Sequence, residues 1–147
     1  MMDIVKAIHD PKLFRGCFKD LSTWSGWFVL LKALFALKMT EDEVEVFRAC
    51  TGRQEPPQRP VKELWCLVGR RAGKSFMASV IACYTALFFD YSKYTAPGER
   101  LTVQITAVDK AQATTDLSYC NGILHSTPIL EQYIERELQE KISLTNG

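Results

Sequence analysis

Residues 64–75 read Leu-Trp-Cys-Leu-Val-Gly-Arg-Arg-Ala-Gly-Lys-Ser and run directly into an apolar stretch rich in small residues. An apolar run, a glycine-bounded turn and a helix start carrying Lys74 and Ser75 are the sequence form of a phosphate-binding loop. Each part has a physical reason. The apolar run predicts a strand, Leu64–Val68, that anchors the turn in a core. Gly73 lets backbone N–H groups approach an anion with no Cβ in the way. A helix beginning near Lys74 aims its positive dipole end and its acceptor-less N–H groups at phosphates. Lys74 then reaches the β/γ oxygens, and the Ser75 hydroxyl is placed to ligate Mg²⁺. The pattern G-x-x-x-x-G-K-[ST] puts its first glycine at position 68, which here is Val68; the glycine available is Gly69, one residue later. Arg70 and Arg71 fill the loop. The alternative for these residues is a plain β-turn ahead of a helix, with Ser75 near the cap.

The chain has 147 residues, of which 47% are hydrophobic, enough for one domain with a core. A mean hydropathy of -0.07 argues against an integral membrane protein. The net charge of +1 creates no global field for nucleic acid. Charge is nonetheless uneven. From Arg53 to Lys74 six basic residues face two acidic ones, whereas from Glu131 to Lys141 four acidic residues face two basic ones. The basic stretch brackets the candidate loop, which suits a nucleotide, although Arg59 and Lys62 read better as solvated surface. The five cysteines are scattered and form no C-x-x-C pair, so no zinc or redox motif is indicated. Cys66 and Cys83 lie in apolar runs and read as buried thiols of a reducing compartment. The N-terminus lacks the apolar run and cleavage site of a signal peptide. His9 and His125 have no clustered ligands in the sequence and read as surface or boundary residues.

Trp24–Leu37 is crowded with apolar residues at i, i+3, i+4 spacing and is interrupted by Lys32. It is too short and too broken to span a bilayer, so it predicts an amphipathic core helix with Ser22 or Thr23 as cap. Thr40-Glu41-Asp42-Glu43 is a helix-start signature, and Gly52 a stop. Three prolines between Pro56 and Pro60 then exclude regular structure. The predicted division is therefore an N-terminal helical segment, 1–52, followed by a phosphate-loop segment, 53–147. A helix over Phe76–Phe89 and a loop over Asp90–Glu99 follow. Leu101–Ala107 alternates and is β-branched, predicting a strand. Asp109 caps a helix to about Leu124, Pro128 opens another to about Leu138, and Lys141–Thr145 makes a last strand. Asn146-Gly147 is a hairpin signal at the point where the chain stops, so the sequence reads as cut short. The order β-loop-α-β-α-α-β predicts an α/β fold, a P-loop NTPase-like, mainly parallel and incomplete sheet preceded by a helical segment.

Several elements in order resemble the N-terminal part of the large terminase subunit of tailed bacteriophages, the ATPase of the DNA-packaging motor. They are the aromatic-rich Trp24–Leu37, Phe47 with Thr51-Gly52-Arg53 and Pro56-Pro57, and the 64–75 run. Asp90-Tyr91, Pro97-Gly98-Glu99-Arg100, the 106–113 junction Thr-Ala-Val-Asp-Lys-Ala-Gln-Ala and Leu144-Thr145-Asn146-Gly147 complete the set. Terminase loops often lack the first glycine and carry basic residues there, as here. The resemblance covers most of the chain.

The resemblance implies ATP and Mg²⁺ as ligands. It assigns Gly69, Arg70, Arg71, Ala72, Gly73, Lys74 and Ser75 to the triphosphate, Lys74 and Arg71 to catalysis, and Ser75 to the metal. Arg53 would stack on the base and Gln54 or Gln58 read the adenine edge. Double-stranded DNA, portal and small terminase subunit are the implied partners of the full-length family, which assembles as homo-oligomers in the cytoplasm of the bacterial host, with no membrane. The acidic Mg²⁺-binding strand, the coupling motif and the nuclease domain are expected beyond Gly147. Asp109 ends a predicted strand yet matches a helix cap better than a metal ligand. A chain with a phosphate cradle and no such carboxylate is expected to bind nucleotide without turning it over. Two other function classes remain open at this level: another P-loop enzyme, such as a helicase-like ATPase or nucleotide kinase, and a non-catalytic remnant or partner-binding module using Trp24–Leu37.

Overall fold

The structure, a computed structural model, describes residues 2–91 and 93–146. Its described residues form six α-helices, two short 3-10 helices and one two-stranded antiparallel sheet. This overturns the expected P-loop NTPase-like α/β fold with a mainly parallel sheet. Neither Leu64–Val68 nor Leu101–Ala107 is a strand. Leu67 is fully exposed, as is Val108 just past the second segment, and Trp65 is 88% exposed. Both segments have β-forming composition, but a strand exists only with a ladder partner, and burial against neighbours decides β-propensity. Cys66, expected buried with its strand, is exposed for the same reason.

The chain divides into two compact units. One joins Met1–Cys17 to Arg71–Gly147; the other is Phe18–Arg70.

In the first unit, α1 (Ile4–His9) starts at Asp3, whose carboxylate accepts the Lys6 N–H at 2.9 Å. α4 (Lys74–Phe88) and α5 (Lys110–Leu124) supply most of the packing. Asp109 caps α5 by accepting the Gln112 N–H at 2.8 Å, as its sequence position predicts. Ile4, Ile8, Phe14, Met77, Val80, Ile123 and Leu130 are almost wholly buried, each worth about 1.5–3 kcal/mol of transfer free energy. The Tyr84 hydroxyl donates to the Met2 carbonyl at 2.7 Å and holds the N-terminus on α4.

The expected Pro128–Leu138 helix is only one turn, α6 (Pro128–Glu131), with Thr127 as cap. β1 (Ile134–Leu138) follows and pairs antiparallel with β2 (Lys141–Leu144). The register is Ile134 to Leu144, then Arg136 to Ser143, Glu137 to Ile142 and Leu138 to Lys141, with an irregularity between Ile134 and Arg136. The ladder continues with Thr145 N–H to Tyr133 O at 2.8 Å, and the Asn146 amide donates to Ala86 O at 2.8 Å. Gly147, the other half of the hairpin signal, lies outside the described residues, as does Ser92 of the 90–99 loop.

In the second unit, a 3-10 turn (Leu21–Trp24) capped by Asp20, not by Ser22 or Thr23, leads into α2 (Ser25–Leu34). Phe18 and Trp24 meet edge to face at 5.3 Å. α3 (Glu41–Thr51) begins with a full capping box: Thr40 Oγ1 accepts the Glu43 N–H, and the Glu43 carboxylate accepts the Thr40 N–H. It ends at Gly52, φ 69°, a left-handed stop. Glu43 also takes the Lys32 ammonium of α2 at 2.6 Å. Partial burial pushes the Glu43 carboxyl up, but Lys32 and the Thr40 N–H outweigh it and hold it below the ordinary carboxylate value. Thr40→Ala removes one arm of this box and is expected to cost about 1 kcal/mol, read as a lower urea midpoint with unchanged slope.

No helix among the described residues is long and apolar enough to cross a membrane.

Candidate phosphate-binding site

α4 begins without a side-chain cap: its first flanking residue is Gly73, at φ 78° and ψ 16°. A helix's first N–H groups have no acceptor within the helix, so this end presents donors and the positive end of the dipole together. Two residues earlier, Arg71 also has a positive φ, 62°. Apart from Ala36, it is the one described non-glycine residue in that region. A left-handed arginine costs about 1–2 kcal/mol, and such strain concentrates where backbone is shaped for a ligand. Alternating backbone hands turn successive N–H groups toward one side and create an anion-binding concavity. The loop thus bends at Arg71 and Gly73. Gly69 does not share this role: a Cβ there would meet nothing within 4 Å.

Arg71, Ala72 and Lys74 are exposed, while Gly73 and Ser75 are half-buried. The Ser75 hydroxyl accepts a hydrogen bond from Gln112 Nε2 of α5 at 3.2 Å. Gly69 and Arg70 are exposed and close the second unit, which also carries Arg53 and Gln54. In that unit the Gln54 carbonyl accepts from Arg48 Nε at 2.7 Å, the Arg53 N–H donates to Thr51 Oγ1, and the Gln58 amide donates to the Pro56 carbonyl.

α4 and α5 run alongside each other in a fixed register of 37 residues. Ser75 meets Gln112, Ser79 Oγ donates to the Asp116 carbonyl at 2.9 Å, and Cys83 Sγ lies 3.8 Å from the Cys120 carbonyl. The single Ser79 hydroxyl proton is shared between the Asp116 carbonyl and the Ser75 carbonyl, 3.0 Å away, joining the first two layers. The Cys83 thiol is pushed far up by its hydrogen bond with Cys120 and by burial, so it is an inert packing group. Sequence reasoning gave Gln112 no role. Its signal was positional: with Asp109 as cap, residue 112 falls in the first turn of α5 facing a neighbour.

His125, read from sequence as an ordinary boundary residue, follows α5 and is bridged by two carboxylates. Its Nδ1 lies 3.0 Å from Glu131, and its Nε2 meets Glu137 of β1. Hydrogen bonding to Glu137 and then Glu131 raises its pKa above the ordinary 6.5. A raised histidine contributes stability fully below its unfolded pKa and loses it as pH rises through the folded one. We therefore expect an NMR titration to place the His125 midpoint above 6.5 and the β1–β2 hairpin amides to exchange faster once His125 is neutral. His125→Gln should remove that pH dependence.

Among the described residues, no three His, Cys, Asp or Glu side chains are grouped to hold a metal ion. Mg²⁺ in nucleotide sites keeps several waters and is held by the substrate's phosphates and one or two carboxylates, in phosphate-loop sites together with a Ser or Thr hydroxyl. The Ser75 hydroxyl would supply one neutral protein oxygen to such a shell, with phosphate and water supplying the rest. Compared with models of protein families, with curated proteins and with solved structures, the chain matches none.

Proposed function

We propose that this chain binds the phosphates of ATP, with Mg²⁺, through the loop that leads into α4, as the nucleotide-binding part of a phage DNA-packaging motor of the large terminase type. One observation carries the reading: two left-handed residues, Arg71 and Gly73, run into a long helix with no side-chain cap that carries Lys74 and Ser75 at its start. Backbone N–H groups of the loop and helix start donate hydrogen bonds to the phosphate oxygens. Lys74 adds a point charge for the β/γ oxygens, and Arg71 a planar fork suited to bidentate contact with a phosphoryl group. Mg²⁺, when bound, would neutralise charge on the phosphate oxygens, and Ser75 supplies its protein oxygen. The reading rests on the loop and its helix and on the resemblance of the 64–75 run. Double-stranded DNA, portal and small terminase subunit are then the partners of the full-length motor, at work in the bacterial host cytoplasm.

The test is calorimetric titration of Mg·ATP and Mg·ADP into the purified chain and into Lys74→Ala. Saturable binding that is weakened by the variant supports the reading. A folded chain that binds neither nucleotide overturns it in favour of a non-catalytic module.

A further inference from the structure

The α4–α5 register brings one side chain from outside the loop onto the proposed Mg²⁺ ligand. We propose that Gln112 is a positioning residue for Ser75, holding its hydroxyl as the protein oxygen for a nucleotide-bound divalent cation; this rests on the nucleotide reading above. Gln112 Nε2 reaches Ser75 Oγ at 3.2 Å. A serine hydroxyl has two acceptor positions and one proton. The Gln112 N–H occupies one acceptor position, which leaves the other for a cation and the proton for a phosphate oxygen. A free serine rotor would have to be fixed when the cation binds; here it is already restrained.

Gln112 is itself held from two directions. Its own backbone N–H is bound by the Asp109 carboxylate at 2.8 Å, which fixes the first turn of α5. The next two layers, Ser79 with Asp116 and Cys83 with Cys120, are buried and repeat the same spacing. They set the helix register that puts residue 112 opposite residue 75. Asp109 thereby acts on the site through the helix start, as a cap, and not as a metal ligand. Gln112 is exposed, so its truncation leaves the core untouched.

The experiment titrates ADP into the full chain with Mg²⁺ and, separately, with a chelator in its place, for wild type, Gln112→Ala, Ser75→Ala and the double variant. Wild type should bind more tightly with Mg²⁺. Ser75→Ala should lose that gain. Gln112→Ala should reduce the gain about three- to tenfold, the worth of one ordinary hydrogen bond, and leave the affinity in chelator unchanged. On the Ser75→Ala background, Gln112→Ala should have no further effect. A Gln112→Ala protein that matches wild type in both buffers, or that weakens equally in both, overturns the positioning role while leaving the nucleotide site standing. A wild type that binds no ADP in either buffer overturns the parent reading and this one with it.

Discussion

Phe14→Ala should destabilise the first unit by about 3–5 kcal/mol, the range for truncating a fully buried aromatic. Phe14 has no exposed surface. Its ring meets Phe88 edge to face at 6.0 Å, and Phe88 in turn stacks on Tyr84 at 5.4 Å. Its own N–H donates to the Ala7 carbonyl at 3.1 Å, which turns the chain back from α1. The substitution therefore removes the packing that joins the N-terminal segment to the end of α4 and leaves a cavity that rigid helices fill poorly. Natural domains hold only about 5–15 kcal/mol in total, so the loss is a large part of what is available. Urea unfolding followed by far-UV circular dichroism should show it as a marked fall in midpoint. Tyr94→Ala, at an 81% exposed site, is the control, with an expected change of about 0.5 kcal/mol or less. A Phe14→Ala midpoint close to that of the control would mean that the N-terminal segment does not belong to the cooperative unit.

Phe14 was also the residue on which the sequence was silent, and the reason is general. Residues 10–18 carry no helical or strand period, so nothing local marks which aromatic turns inward. Local signals were readable wherever one short segment decides its own geometry. Thr40 with Glu43 and Gly52 delimit α3. Asp109 starts α5 and Leu124 ends it, and Lys74 starts α4. These depend on caps and dihedral preferences over four or five residues. The parallel sheet failed because it is a statement about partners. Leu64–Val68 and Leu101–Ala107 have strand composition, yet no ladder forms on either. The hairpin that does form uses Ile134–Leu138, beyond a helix that Pro128 does open but that ends after one turn at Glu131.

The candidate site divides the same way. Gly73, Lys74 and Ser75 were legible because the loop is contiguous and each residue type has a chemical reason to stand there. Gln112 was not, because it meets Ser75 across 37 residues of chain through a register set by buried Ser79 and Cys83. Arg71 was legible as a charge but not as a bend; its positive φ is set by how the loop enters α4. The consequence is chemical. Arg71 and Lys74 are both exposed, so two cations stand within four residues of chain at a helix start that has no side-chain cap.

That arrangement sets the size of the Lys74→Ala effect. Removal of the amine should weaken Mg·ATP binding about tenfold or more, because a charge-assisted hydrogen bond to phosphate is worth roughly 1.5–3 kcal/mol. The loss should not be total, since the backbone donors of the loop, the α4 dipole and Arg71 remain. Lys74 is exposed, so the truncation buries nothing unpaired and alanine favours the helix; the melting temperature should hold. The ligand series carries the discrimination. If the amine acts on the β/γ oxygens, the penalty should be largest for ATP, smaller for AMP and absent for adenosine, and it should shrink as ionic strength rises, because exposed charges are screened within about 10 Å at 0.1 M salt. Equal affinities of wild type and Lys74→Ala for Mg·ATP in calorimetry would remove the amine from the site. A uniform loss across ATP, AMP and adenosine would instead assign Lys74 to the shape of the α4 start and not to phosphate charge.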